Sequence, residues 1–233
     1  MHLSAIVVAA GKGLRFRSRI PKLLTKIKSH PAIIYSLHTL GRHPAIKDII
    51  LVVNRQNLKG IQAALEKYRI PKIRAVVLGG KLRQDSVYQG LQALPPQTDL
   101  VLIHDGARPF IERRLVSVVI KEARRAGAAI VGVPVKNTIK KVAFQGTGYR
   151  VQGTVERSNL WEIQTPQVFQ RSLLAKAYQK FGKSRVTDDA ILVEKMGVKV
   201  RIVPGSYNNI KITTPEDLVI AEAISRKWKA ALA

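Results

Sequence analysis

The 233-residue chain has no cysteine, and no acidic residue precedes Asp48. The first absence excludes disulfide frameworks, thiolate zinc sites and cysteine nucleophiles, and it suits a reducing compartment. The second leaves a basic stretch near the N-terminus with no anion of its own close by in sequence. Aromatic residues make up only 6% of the chain, few for stacking on nucleic-acid bases. No apolar run approaches the length of a membrane span. The first one, "LSAIVVAA", is short, follows no charged region and runs straight into "GKG", so it does not read as a signal peptide. The expectation is a soluble, cytoplasmic protein with no membrane partner.

What the chain has in excess is positive charge: 40 Lys and Arg against 15 Asp and Glu, a formal net charge of +25. Such a balance points first to a polyanion, nucleic acid included. The cations are spread along the whole chain, however, with no basic tail and no recognisable nucleic-acid motif. A non-catalytic nucleic-acid-binding protein stays as the reading of another class. With 46% hydrophobic residues, 233 residues can bury a full core as one domain.

Short β-branched runs alternate with longer amphipathic stretches. Strands are expected at 3–10, 48–53, 73–78, 99–104, 128–133 and 199–203, most of them apolar on both faces, as buried parallel strands are. Helical patterns fall near 31–41, 57–69, 84–94, 112–126, 171–181, 187–196 and 215–231. In "TTPEDL", Thr214 is the expected N-cap, Pro215 the first helical residue and Asp217 the partner closing a capping box. The pattern implies an α/β sandwich of three layers around a mostly parallel sheet.

Residues 139–155, "IKKVAFQGTGYRVQGTV", break that rhythm. They alternate apolar and polar around a glycine-rich turn, which predicts an inserted β-hairpin with Tyr149, Val151 and Val155 on one face. An isolated hairpin is marginal in water, so the apolar face requires a partner, either the chain's own domain or a second subunit.

"AAGKGLR" follows the first strand and opens at the carboxyl end of the sheet, where α/β folds bind ligands. It is neither a dinucleotide fingerprint, since Phe16 stands where the third glycine belongs, nor a Walker loop. Its glycines still allow backbone N–H groups to approach phosphate, and Lys12, Arg15 and Lys22 add charge. Other segments at strand ends join it. "LIHDGARP" places Asp105 just past a strand, where it can form a turn or serve a metal or ribose. "GGKLRQDSV" is a second glycine-rich loop, suited to a flat base or to a helix entry. "NNIKITTPEDL" puts Lys211 ahead of a capped helix, and "TDDA" sets two acids in a helix's first turn, where the dipole alone can account for them.

Taken together, "VVAAGKGLR" with "PK" after it, "GGKLRQDSV", "VLIHDGARP", "VPVKNTIK", "TVERSNLWEIQTPQVF", "TDDA" and "NIKITTPEDL" resemble the 2-C-methyl-D-erythritol 4-phosphate cytidylyltransferases of the non-mevalonate isoprenoid pathway. The resemblance runs nearly end to end. Leu23, Phe16 and Gly106 depart from the residues usual in the family, and none of these changes removes a charge. The ribitol-5-phosphate cytidylyltransferases share most of the motifs and differ in acceptor.

The resemblance implies a nucleotide-sugar-transferase-like sandwich spanning 1–233 as one domain, with a dimerisation arm at about 137–157. It implies transfer of a cytidylyl group from CTP to the alcohol phosphate, with release of pyrophosphate. The nucleophile is already ionised, so the task is positioning and charge neutralisation. By the same resemblance Arg15 and Lys22 stabilise the transition state, and Arg157, Lys211 and Thr138 hold the incoming phosphate. CTP rests on Ala10, Gly11, Lys12, Gly13, Gly79, Gly80 and Ser86. Mg²⁺ is carried by the triphosphate; no residue is assigned as its direct ligand, Asp105 being the candidate. The arm implies a homodimer whose active sites are shared.

Overall fold

A computed structural model of the chain describes residues 1–11, 13–16 and 20–228. Its centre is a sheet of seven strands. In spatial order they are β11 (Arg201–Pro204), β7 (Ala128–Pro134), β10 (Trp161–Gln170), β6 (Thr98–Asp105), β1 (His2–Ala9), β4 (Ile46–Val53) and β5 (Ile73–Leu78). Only β10 runs against its neighbours, pairing antiparallel with both β6 and β7; the other ladders are parallel.

Past Ser4 the run in β1 is apolar because both faces are covered. Leu3, Ala5, Val7 and Ala9 enter one core, and Ile6 and Ala10 enter the other. The first core is closed by α1 (Ala32–Gly41), α2 (Arg55–Lys67) and α4 (Arg113–Ala126), the second by α3 (Arg83–Gln92), α5 (Arg171–Phe181) and α6 (Ala190–Glu194). These are the three layers. In α4 the buried residues Val116, Val119, Ile120 and Ala123 fall at helical spacing. The helix stops at Gly127, whose φ of +82° a side chain would resist. A third cluster joins α7 (Glu216–Lys227) through Ala221 to Phe16, Tyr35, Phe110 and Ile212, beside the short ribbon β2 (Lys26–Ile27) and β3 (His30–Pro31).

Four expectations need correction. The strand β10 is absent from the sequence pattern, because its buried positions include Gln164, Thr165 and Gln167 and because Pro166 reads against a central strand. Its register with β7 shifts between Gln164 and Gln167. Helix α6 is shorter than 187–196, running from Ala190 to Glu194, and the Asp188 carboxylate accepts from the Ile191 N–H just ahead of it. Helix α7 begins at Glu216 rather than Pro215. Asp217 does close its N-terminus, accepting from the backbone of Thr213 and Thr214; the last residues of the expected helix lie outside the described ones.

The fourth correction concerns the hairpin, which is present as β8 (Ile139–Gln145) and β9 (Gly148–Val155), a separate two-stranded sheet. A bulge between Lys141 and Val142 makes Val142 pair with Val151 but Lys141 with Gly153. Downstream of the bulge the alternation flips. Val155 therefore lies with Ile139 on the opposite face from Tyr149 and Val151. The apolar face is Val142, Phe144, Tyr149 and Val151, and all four are exposed, Tyr149 to 76%.

Candidate active site

The loops leaving β1, β5 and β6 meet at the carboxyl edge of the sheet, around a cavity of about 540 Å³. Ala10, Gly11, Gly13, Arg15, Lys22, Gly80, Ser86, Asp105 and Lys211 all line it. Gly79 explains how the first two loops come so close. A Cβ there would stand 2.5 Å from that of Ala10 and 2.6 Å from the Ser86 hydroxyl, so only glycine fits. Gly13 has a φ of +64°, which also favours glycine. Lys12 lies outside the described residues. Asn54 was not expected here, yet it does two things at once. Its Oδ1 accepts from the Asn57 N–H and caps α2, while its Nδ2 donates to the Ala10 carbonyl at 3.2 Å. The signal was a cap residue directly after a strand, which reads as a helix start alone.

Lys22 and Lys211 arrive from opposite ends of the chain. The Ile212 N–H donates to the Ala107 carbonyl, pinning this segment beside the turn after β6. The Lys22 ammonium donates to the Ile212 carbonyl at 2.9 Å, and that of Lys211 donates to Asp105 Oδ2 at 2.6 Å. Burial, then the charge of Lys211, pushes the Lys22 pKa below that of a free lysine, with Arg15 adding to the effect. Asp105 and Asp217 offset this only in part, so positive charge remains crowded at the loop.

Asp105 sits at the floor. Arg83 Nε donates to its Oδ1 at 3.3 Å, and Arg108 Nε lies 3.9 Å from Oδ2. Burial alone would raise the Asp105 carboxyl, but Arg83, Lys211 and Arg108 outweigh it and hold it well below the carboxylate range. Its backbone N–H donates to the Thr165 hydroxyl at 3.0 Å. That hydroxyl in turn meets Nδ1 of His104, whose Nε2 faces the Arg108 carbonyl. A carbonyl only accepts, so the proton is on Nε2 and the Thr165 hydroxyl donates to Nδ1. Burial keeps this histidine neutral, its pKa lowered to about 4.

A second cavity, of about 420 Å³, opens on the far side of Asp105, with Arg108, Thr165, Gln167, Thr187 and Asp188 among its walls. Arg83, Asp105 and Lys211 line both cavities. Thr138 and Arg157, by contrast, line neither. They are exposed at the foot of the hairpin, where the Arg157 guanidinium donates to the Lys136 carbonyl. Within one chain, then, Arg15, Lys22, Lys211, Asp105 and the glycine loops come together, and Thr138 and Arg157 do not join them. Arg83, Arg108, Thr165, Gln167 and Asp189 carry no signal in the sequence that marks them as site residues. Each reads locally as a turn, a helix start or a strand position, and their convergence depends on β10.

Among the described residues no group of three or more His, Asp or Glu is placed to hold a metal ion. Asp105 has both oxygens engaged by cations.

The model of the family described as 2-C-methyl-D-erythritol 4-phosphate cytidylyltransferase matches residues 3–227. A protein of that name from Desulforamulus reducens is 45% identical over 229 residues, 97% of each chain. A bifunctional enzyme, IspD/IspF, from Desulfotalea psychrophila is 43% identical over 226 residues; the match covers 97% of this chain but 57% of that enzyme's length. The crystal structure of the 4-diphosphocytidyl-2C-methyl-D-erythritol synthase from Anaerococcus prevotii superposes with a TM-score of 0.82 at 37% identity, covering 97% of this chain and 96% of that one. With a cation-lined cavity at the carboxyl edge and a family match over nearly its whole length, the chain belongs to the 2-C-methyl-D-erythritol 4-phosphate cytidylyltransferase family and is a nucleotidyltransferase.

Proposed function

We propose that the chain transfers the cytidylyl group of CTP to 2-C-methyl-D-erythritol 4-phosphate, with the two cavities dividing the substrates between them. The observation that carries this reading is their shared wall of Arg83, Asp105 and Lys211. CTP lies in the larger cavity, its triphosphate on the loop of Ala10, Gly11 and Gly13 and its base toward Gly79, Gly80 and Ser86. The acceptor lies in the smaller one, its phosphate directed at Lys211.

The chemistry follows from the charges. An oxygen of the acceptor phosphate forms a bond to the α-phosphorus, and the bond from that phosphorus to the oxygen bridging α and β breaks. The electron pair leaves on pyrophosphate. The phosphate nucleophile carries no proton that must be removed at neutral pH, so no general base is needed. The neutral His104 keeps to its positioning bonds. The barrier is repulsion between anions, and preorganised cations lower it. Arg15 and Lys22 face the α-phosphate and the departing pyrophosphate, and Lys211 holds the attacking phosphate. Mg²⁺ carried by the nucleotide would add charge neutralisation at the triphosphate, while Asp105, the carboxylate at the cavity floor, is paired with Lys211.

The same proposal makes the active unit a homodimer in the cytoplasm. Support comes from the exposed face of Val142, Phe144, Tyr149 and Val151, and from Thr138 and Arg157 standing away from the cavities of their own chain. Crossing of the arm brings Thr138 and Arg157 to the acceptor cavity of a second copy. A chain without cysteine has no need of an oxidising compartment. Among the described residues no helix is long and apolar enough to cross a membrane.

The deciding experiment is pyrophosphate release with CTP and Mg²⁺, with methylerythritol phosphate, with ribitol 5-phosphate and with no acceptor. Release dependent on methylerythritol phosphate is expected. Equal or greater release with ribitol 5-phosphate overturns the acceptor assignment, and no release with either overturns the reading.

A further inference from the structure

Asp189 is fully buried, with one partner on each carboxylate oxygen. The Tyr178 hydroxyl donates to Oδ1 at 2.6 Å, and Arg83 Nη1 donates to Oδ2 at 2.7 Å. The other edge of the same guanidinium meets Asp105, so Arg83 bridges two buried carboxylates. Consecutive residues of α3 also hold the loop that carries Asp189. The Gln84 side-chain amide donates to the carbonyls of Gly182 and Ser184 and accepts from the Val186 N–H. Gln167 completes the frame, accepting from the Asp189 N–H and donating to Asp188.

We infer that Asp189 is a positioning residue for the transfer reaction, acting through Arg83 and Asp105 on the ammonium of Lys211. The guanidinium is a rigid planar fork, so fixing Nη1 on Asp189 fixes where Nε meets Asp105. Asp189 also takes up the charge of Arg83. That leaves Asp105 Oδ2 to Lys211, the closest of its three cationic partners at 2.6 Å. Deprived of Asp189, Arg83 has one carboxylate left and closes on it with two N–H groups. Asp105 is drawn toward Arg83, and Lys211 loses the contact that aims it across both cavities. Burial, then the charge of Asp189, holds the Tyr178 hydroxyl protonated, so it remains a donor.

This inference rests on the assignment of the two cavities, and its test separates the two. Steady-state kcat and both KM values are measured for Asp189→Asn, Asp105→Asn and the double variant, with Lys22→Ala alongside. The single Asp189→Asn variant is expected to lose 10- to 100-fold in kcat over the acceptor KM, a range typical of one misplaced charge-assisted contact, with the KM for CTP within about threefold. In the Asp105→Asn background the same change should cost less than about threefold, because the relay is already broken. An undiminished loss in that background, or an equal rise in the CTP KM, makes Asp189 merely structural and overturns the inference. If Asp189→Asn does not melt cooperatively, Arg83→Lys, which keeps the charge but not the fork, decides by the same comparison. Full activity in Lys22→Ala condemns the cavity assignment instead.

Discussion

Lys22→Ala probes the charge argument most directly. The ammonium is partly buried against the Ile212 carbonyl and stands near Lys211 and Arg15, so in the free protein its charge is opposed by burial first and by Lys211 next. A nucleotide triphosphate reverses that balance, most of all when negative charge builds on the leaving pyrophosphate. Removing one preorganised stabiliser of this kind typically costs about 10²–10³ in turnover, roughly 3–4 kcal/mol. We therefore expect kcat to fall by that factor while the KM for CTP changes only a few-fold, since backbone groups of the glycine loops remain. Pyrophosphate release under saturating acceptor reads both. The lowered pKa adds a signature. In the wild type kcat/KM for CTP should fall as pH rises through the Lys22 pKa, because the charged form is the active one, and this should begin below the range of a free lysine. Lys22→Arg, always charged, should move that limb to higher pH. A Lys22→Ala enzyme with turnover within threefold of wild type, or an alkaline limb unmoved by arginine, refutes the reasoning.

Lys211→Ala should raise the acceptor KM by at least tenfold; because Lys211 lines both cavities, a smaller rise for CTP is expected, and a larger one for CTP would show the cavities misassigned. Lys22→Ala and Arg157→Ala homodimers should each be nearly inactive, yet after subunit exchange a mixed dimer collects both lesions in one site and none in the other. Equal mixing then restores about a quarter of all sites; no recovery after confirmed exchange means each site is built from one chain. Stability should fall with pH between about 6.5 and 4, because His104 is buried neutral in the fold and the unfolded chain takes up the proton first. A tenfold change in proton affinity is about 1.4 kcal/mol, so His104 accounts for on the order of 3 kcal/mol. Urea midpoints at pH 7 and 5 that coincide would contradict this.

Most of the sheet was legible because parallel strands are buried on both faces. From Ile49 to Val53 the run at 48–53 is fully buried, the edge run at 73–78 stands out by its β-branched residues although it is only partly buried, and the helices repeat at 3.6 residues. Strand β10 was not legible. Its glutamines and threonine are buried only because Asp188, Asn209, Ser206 and His104 supply partners from distant segments. No local pattern announces a strand whose polar groups are satisfied by residues 21 to 61 positions away. The hairpin was visible by its alternation, but the bulge that turns Val155 to the other face was not, since one extra residue leaves the composition unchanged.

The division runs the same way through the site. The glycine loops, the charge of Arg15 and Lys22 and the place of Asp105 after its strand are legible in the sequence, because backbone approach and strand ends are local properties, and the resemblance adds Lys211. That Asp105 meets three cations, that Arg83 ties it to the buried Asp189, and that Arg157 and Thr138 stand apart became visible with the folded chain alone. Those facts depend on which carboxylates and cations, up to 106 residues apart, are brought within hydrogen-bond range once the sheet has closed. Electrostatic pairing is set by distance in space, and a sequence carries that distance only after it has folded.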